Sequence, residues 1–166
     1  MLHRRFFLTV PLLALGLLSS VALAAGADSP AADPGRPGGP IAGQFHVPAS
    51  GLPGQAAGVL LDRIHGPVFA FQTAVLPLGP YGRGLLVGAA VHLGGPHQGE
   101  FVPLQGSWQP TAPGNGEFRA VLLRPVPGDD GRPRLEPFVA LHGGYRTLDG
   151  TDATTGIIHG RWGPLP

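Results

Sequence analysis

The chain has no cysteine and no lysine, a single methionine, and charges at only 13% of its 166 residues. Without cysteine there is no disulfide to staple the fold and no thiol to carry a lipoprotein anchor, so packing must supply the stability. The absence of lysine excludes a Walker-type phosphate loop, Schiff-base catalysis and a lysine general base together. Long proline-free windows with apolar residues at helical spacing are missing too, because 20 prolines and 28 glycines interrupt the chain throughout. With no helix of ten or more residues to place between strands, parallel βαβ crossovers are excluded. Arg4 and Arg5 are two of the 11 arginines; beyond residue 24 the remainder are slightly outnumbered by the 10 acidic residues. No basic surface therefore points to nucleic acid or to an anionic membrane.

What is present begins with an address. Met1-Leu2-His3-Arg4-Arg5 leads into the apolar run Phe6 to Leu18, then into Ser19-Ser20-Val21-Ala22-Leu23-Ala24. A charged start, a short apolar core and small residues at Ala22 and Ala24 are the layout of a cleaved export signal, with the working protein starting at Ala25. The run is too short, and too broken by Pro11 and Gly16, for a membrane-spanning helix of about 20 residues. Its Arg4, Arg5, Phe7 and Leu8 resemble the twin-arginine export motif, which implies a route for already folded cargo; His3 and Thr9 depart from that motif. The expected localisation is periplasmic or secreted.

Residues 25–40 are Ala, Gly, Pro and Asp with one Ser and one Arg, and read as a disordered linker. Residues 41–166 then form one domain. Short runs rich in Val, Leu, Phe and Ile recur at 41–47, 58–65, 68–76, 84–93, 100–108, 117–124, 138–147 and 155–162, each bounded by Gly or Pro turn chemistry. The expectation is an all-β fold, an antiparallel meander of about seven or eight short strands closing as a small barrel or folding as a sandwich. Alternation assigns inward faces to Phe69, Phe71, Thr73 and Val75, to Val102, Leu104, Gly106 and Trp108, and to Val139, Leu141, Gly143 and Tyr145. In 84–93 it selects Leu85, Val87, Ala89, Val91 and Leu93, leaving Gly88 and Ala90 on the opposite face for a close neighbour. Gly also tends to stand two residues before a large apolar residue, as in Gly43-Gln44-Phe45, Gly116-Glu117-Phe118, Gly106-Ser107-Trp108 and Gly160-Arg161-Trp162.

Candidate chemistry is sparse. His142-Gly143-Gly144 after a strand looks like the oxyanion-hole segment of α/β-hydrolase esterases, but no serine follows it to supply a nucleophile elbow. A strand histidine beside a glycine bulge is the alternative. Ser29, Ser50 and Ser107 lack the surroundings of an activated nucleophile. Six histidines remain after export, and His92 with His97 across a tight turn is the best start of a zinc or copper site, given a third ligand such as Asp62 or Glu100. Asp129-Asp130 and Asp149 with Asp152 sit in Asp-Gly turns and lack the calcium-loop pattern. Trp108 and Trp162 end strands, as core or rim plugs do; with Tyr81 and Tyr145 they would otherwise make a sugar-stacking face.

No catalytic, cofactor-binding or metal-ligating residue can be assigned from these patterns, and no cofactor is implied. The expected function is an exported, non-catalytic binding or envelope-associated module of unknown ligand. A small exported metal-dependent enzyme using the histidines is the alternative. No transmembrane segment is expected in the mature form, and an outer-membrane barrel fits poorly with so many prolines.

Overall fold

The computed structural model describes residues 38–48, 52–78, 83–148 and 153–166. The export segment, most of the linker, Ser50, Tyr81, Asp149 and Asp152 lie outside the described residues. Eight strands follow in order: β1 (Gly39–Pro48), β2 (Gly54–Asp62), β3 (Gly66–Pro77), β4 (Gly84–His92), β5 (Phe101–Ala112), β6 (Asn115–Pro127), β7 (Pro133–Leu148) and β8 (Ala153–Pro164). Each pairs antiparallel with the next, and β8 returns to β1, so the meander closes into a barrel and not a sandwich. Closure leaves no edge strand with unpaired backbone groups. β1 starts at Gly39, two residues before the Ile41 expected from composition.

The strands run further than the prolines suggested, because three of the prolines fall at register shifts or a ladder end, where a missing N–H costs least. Pro67 and Pro137 fall at shifts of register beside Leu60/Leu61 and Leu122/Leu123. Pro103 pairs on β4 but lies beyond the end of the β5–β6 ladder. In the β5–β6 turn, Pro113 presets one backbone angle and Gly114 takes φ +72°, a left-handed conformation that favours glycine.

An eight-stranded barrel is just wide enough for side chains to fill or for one small ligand. Here the filling follows a pattern: six inward aromatics each stand directly opposite a glycine on a neighbouring strand, while Phe69 stands opposite Leu60 and His92. Phe45 faces Gly156, Phe71 faces Gly58, Trp108 faces Gly84, Phe118 faces Gly143, Tyr145 faces Gly116 and Trp162 faces Gly39. The contacts are close enough that a Cβ on Gly58 would lie 2.7 Å from Phe71 Cζ, and one on Gly143 would lie 2.9 Å from Phe118 Cε1. The recurring Gly-x-large pattern is explained by this packing, since both members share the inward face and the glycine makes room for the ring next door.

The same pattern corrects the face assigned to β4. Its inward residues are Gly84, Leu86, Gly88 and Ala90, with Ala90 only 1% exposed, while Leu85 and Val87 point out at 40% and 49% exposure. Alternation selected the bulkier face, but the interior beside β4 is taken by rings from β3 and β5, and apart from Leu86 the residues facing it are small. On β3, β5 and β7 the expected inward faces stand, with Phe69, Phe71, Thr73, Val75, Val102, Leu104, Val139 and Leu141 all buried. His142-Gly143-Gly144 forms no bulge; β7 keeps continuous register with β6 and β8 there, and Gly143 serves close packing against Phe118.

Candidate functional site

The two halves of the barrel differ. One end is sealed: Leu60 and Leu122 are completely buried, and Phe69 meets Trp162 edge to face with ring centroids 6.4 Å apart. Trp162 Nε1 donates a 2.9 Å hydrogen bond to the Leu61 carbonyl, opposite Pro67, which has no N–H to give. The plug is thus both packed and polar-satisfied. Trp162 behaves as the rim plug expected of it.

The other half encloses a cavity of about 290 Å³. Phe45, Ala56 and Val75 form its buried apolar shell, with Leu86, Trp108, Tyr145 and Ile158 packed against them. Phe71, Leu104, Phe118 and Leu141 lie deeper along the same space. Ala112, Gly114 and Asn115 of the β5–β6 hairpin stand at its mouth, where Asn115 Nδ2 donates to Pro113 O.

Besides Asn115 and Thr147, which bond carbonyls of the β5–β6 hairpin, three polar side chains break this apolar wall. Thr73 on β3 is 3% exposed, and its hydroxyl has no hydrogen-bond partner. Trp108 on β5 lies over Gly84, with Nε1 2.6 Å from where a Gly84 Cβ would be, and that N–H is likewise unpartnered. Trp108 and Trp162 therefore occupy matching positions over a glycine, yet only Trp162 completes a bond to a wall carbonyl. Tyr145 meets Trp108 and Phe45 edge to face, at centroid separations of 6.1 and 5.4 Å. Burial pushes its phenol above the usual value, so it is neutral at physiological pH. Trp108 and Tyr145 are interior groups, and not an exposed sugar-stacking face. An unpaired buried donor costs about 1–3 kcal/mol, so Thr73 and Trp108 are the two costly polar groups of this wall.

The histidines do not converge. His46, His142 and His159 lie on the outer wall, His46 bonding Thr155 Oγ1 at 3.1 Å. In the β2–β3 turn His65 Nδ1 pairs with Asp62 at 2.9 Å. Asp62 also accepts the His65 and Ile64 backbone N–H groups, which hold its carboxyl below the ordinary value. At the sealed end His92 and His97 do come together, 5.7 Å between ring centroids, and Glu100 bonds His97 at 3.1 Å. His92 also packs on Phe69, and burial first, then His97, push its imidazole below the ordinary value while Glu100 opposes them. Among the described residues no three His, Asp or Glu side chains gather as a metal-binding group. Asp129-Asp130 serves the β6–β7 turn, where Asp130 Oδ1 accepts the Arg132 N–H.

Outside, the wall from β4 to β7 carries a wide open depression of about 780 Å³ over Leu85, Val87 and Ser107. Arg119, His142 and Arg161 line up directly opposite one another across β6, β7 and β8. Ser107 faces Arg119 on this outer surface, without a base beside it.

Fold and site together define a closed eight-stranded barrel with one sealed end and an apolar, polar-studded interior space. No protein-family model, curated protein or solved structure matches the chain, so the chemistry of that space carries the functional argument.

Proposed function

We propose that this protein is an exported, non-catalytic barrel that binds a small, mainly apolar molecule in its interior. The observation that carries the reading is the 290 Å³ cavity walled by Phe45, Phe71, Leu86, Trp108 and Tyr145, whose lining residues include Thr73 and Trp108 with their side-chain polar atoms unpaired. A core built only for stability would be filled at the density of the sealed half, since each missing methylene costs stability. Apolar surface supplies the affinity for such a ligand, and a few polar groups orient it. The layout of residues 1–24 supports delivery outside the cytoplasm, where a barrel without cysteines has no disulfide to staple it and persists through its packing.

The test is ligand-linked stability. Saturating n-propylbenzene should raise the thermal midpoint of the purified protein, because a ligand that binds only the folded state stabilises it. Ala56, 4% exposed between Phe45 and Thr73 on the neighbouring strands, points into the cavity. Ala56→Leu should occupy that space and abolish the shift while leaving the β-sheet circular dichroism unchanged. A midpoint indifferent to the hydrocarbon, or a shift that Ala56→Leu retains, counts against an interior site.

A further inference from the structure

We infer that the cavity selects an uncharged molecule of about ten non-hydrogen atoms that carries a hydrogen-bond acceptor, anchored by the Thr73 hydroxyl with the Trp108 N–H as a second donor. This rests on the interior being the ligand site and specifies what that site takes.

Charge decides the first part. Among the described residues no Asp, Glu, Arg or His lines the cavity, and the one titratable group among them, Tyr145, is held neutral by burial. The nearest strand neighbours with charge, Glu117, Arg119 and Arg146, alternate onto the outer surface. A carboxylate entering this space would lose its hydration and meet no cation, a penalty that excludes fatty-acid-like anions. An ammonium ligand fares no better against the described lining, which offers it no carboxylate.

Donor chemistry decides the second part. An indole N–H can only donate, and a threonine hydroxyl can donate or accept. The one ligand feature that answers both unpaired groups is an acceptor, such as a carbonyl or ether oxygen. A pure hydrocarbon fills the volume but leaves both groups as they are. The volume sets the third part: 290 Å³ is about ten times the space one water occupies in the liquid, and a methylene is of similar size.

Three size-matched probes separate these claims by calorimetric titration of the purified protein at neutral pH: propiophenone, n-propylbenzene and 3-phenylpropanoate. Propiophenone should bind about three- to tenfold more tightly than n-propylbenzene, the worth of one added hydrogen bond. The carboxylate should bind at least about tenfold more weakly than the ketone. Thr73→Val keeps the shape and removes the hydroxyl; it should erase the preference for the ketone, with n-propylbenzene bound at least as tightly because the wall is more apolar there, and unchanged β-sheet circular dichroism certifies the fold. Thr73→Ser should keep the preference. Equal affinities for ketone and hydrocarbon, or a preference that survives in Thr73→Val, overturn the acceptor anchor while the interior site stands. Tightest binding of the carboxylate overturns the neutral-ligand claim. Failure of all three to bind removes the interior reading itself and this inference with it.

Discussion

Replacing Gly58 with alanine tests the packing pattern on which the interior depends. Gly58 sits on β2 opposite Phe71 of β3, and a Cβ there would lie 2.7 Å from Phe71 Cζ and 2.8 Å from Gly43 Cα on β1. Neither neighbour can yield easily: Phe71 is 9% exposed within the core, and Gly43 is backbone held in the β1–β2 ladder. Gly58 is not among the residues with positive φ, so alanine suffers no backbone strain, and the stiffer unfolded chain alone would stabilise by about 0.4–1 kcal/mol. Overpacking opposes this with about 1–3 kcal/mol, so the net expectation is a loss of about 1–2 kcal/mol. In urea-induced unfolding that is a fall in midpoint of about 0.5–1 M. Gly94→Ala is the control, since its Cβ would meet nothing within 4 Å and the same entropy term should leave it level or slightly above the parent. In a Phe71→Leu background the cost of Gly58→Ala should shrink, exposing the ring–glycine coupling in a double-mutant cycle. A Gly58→Ala midpoint at or above the parent, or a cost unchanged by Phe71→Leu, would refute the reasoning.

The corrected β4 face makes a paired expectation: Val87→Asp, at a residue 49% exposed, should cost under about 1 kcal/mol, whereas Leu104→Ala, at a residue 3% exposed, should cost about 2–5 kcal/mol in the same denaturation assay. Stability should also depend on His92. Its imidazole is pushed below the ordinary 6.5, so the folded state prefers the neutral form; the stabilisation is complete above 6.5 and is lost as pH falls through the lowered folded value. Denaturation midpoints should therefore decline from about pH 7 to pH 5, and His92→Gln should flatten that decline; a variant curve parallel to the parent's would contradict the assignment. Intact mass of protein recovered from outside the cytoplasm should begin at Ala25, and a full-length cytosolic product would contradict export.

Much of the fold was legible because strand chemistry is local. Alternating apolar residues and Pro/Gly turns marked all eight strands, and the inward faces of β3, β5 and β7 followed from bulk and alternation. β4 was misread because both of its faces are apolar, and the choice between them is made by rings on other strands. The β4–β5 pairing puts Trp108 across from Gly84, and no pattern within either strand encodes it. The cavity was hidden for the same reason: Thr73, Trp108 and Tyr145 come from three strands and meet only inside the barrel. A trace of it was visible in Thr73, the one hydroxyl on the inward run Phe69, Phe71, Thr73, Val75. His92 and His97 lie five residues apart in sequence and do meet, but the orienting Glu100 engages only His97.

The two tryptophans offer the most direct measurement of the central claim, because one indole N–H is paired in the plug and the other is unpaired in the cavity wall. A nitrogen–proton correlation spectrum of the labelled protein, with assignment from Trp162→Phe, should show two indole signals if each environment is distinct. Adding propiophenone should move the Trp108 signal and leave that of Trp162, bonded to the Leu61 carbonyl at the sealed end, where it was. Two unmoved signals, or equal movement of both, would contradict a ligand site in the open half of the barrel.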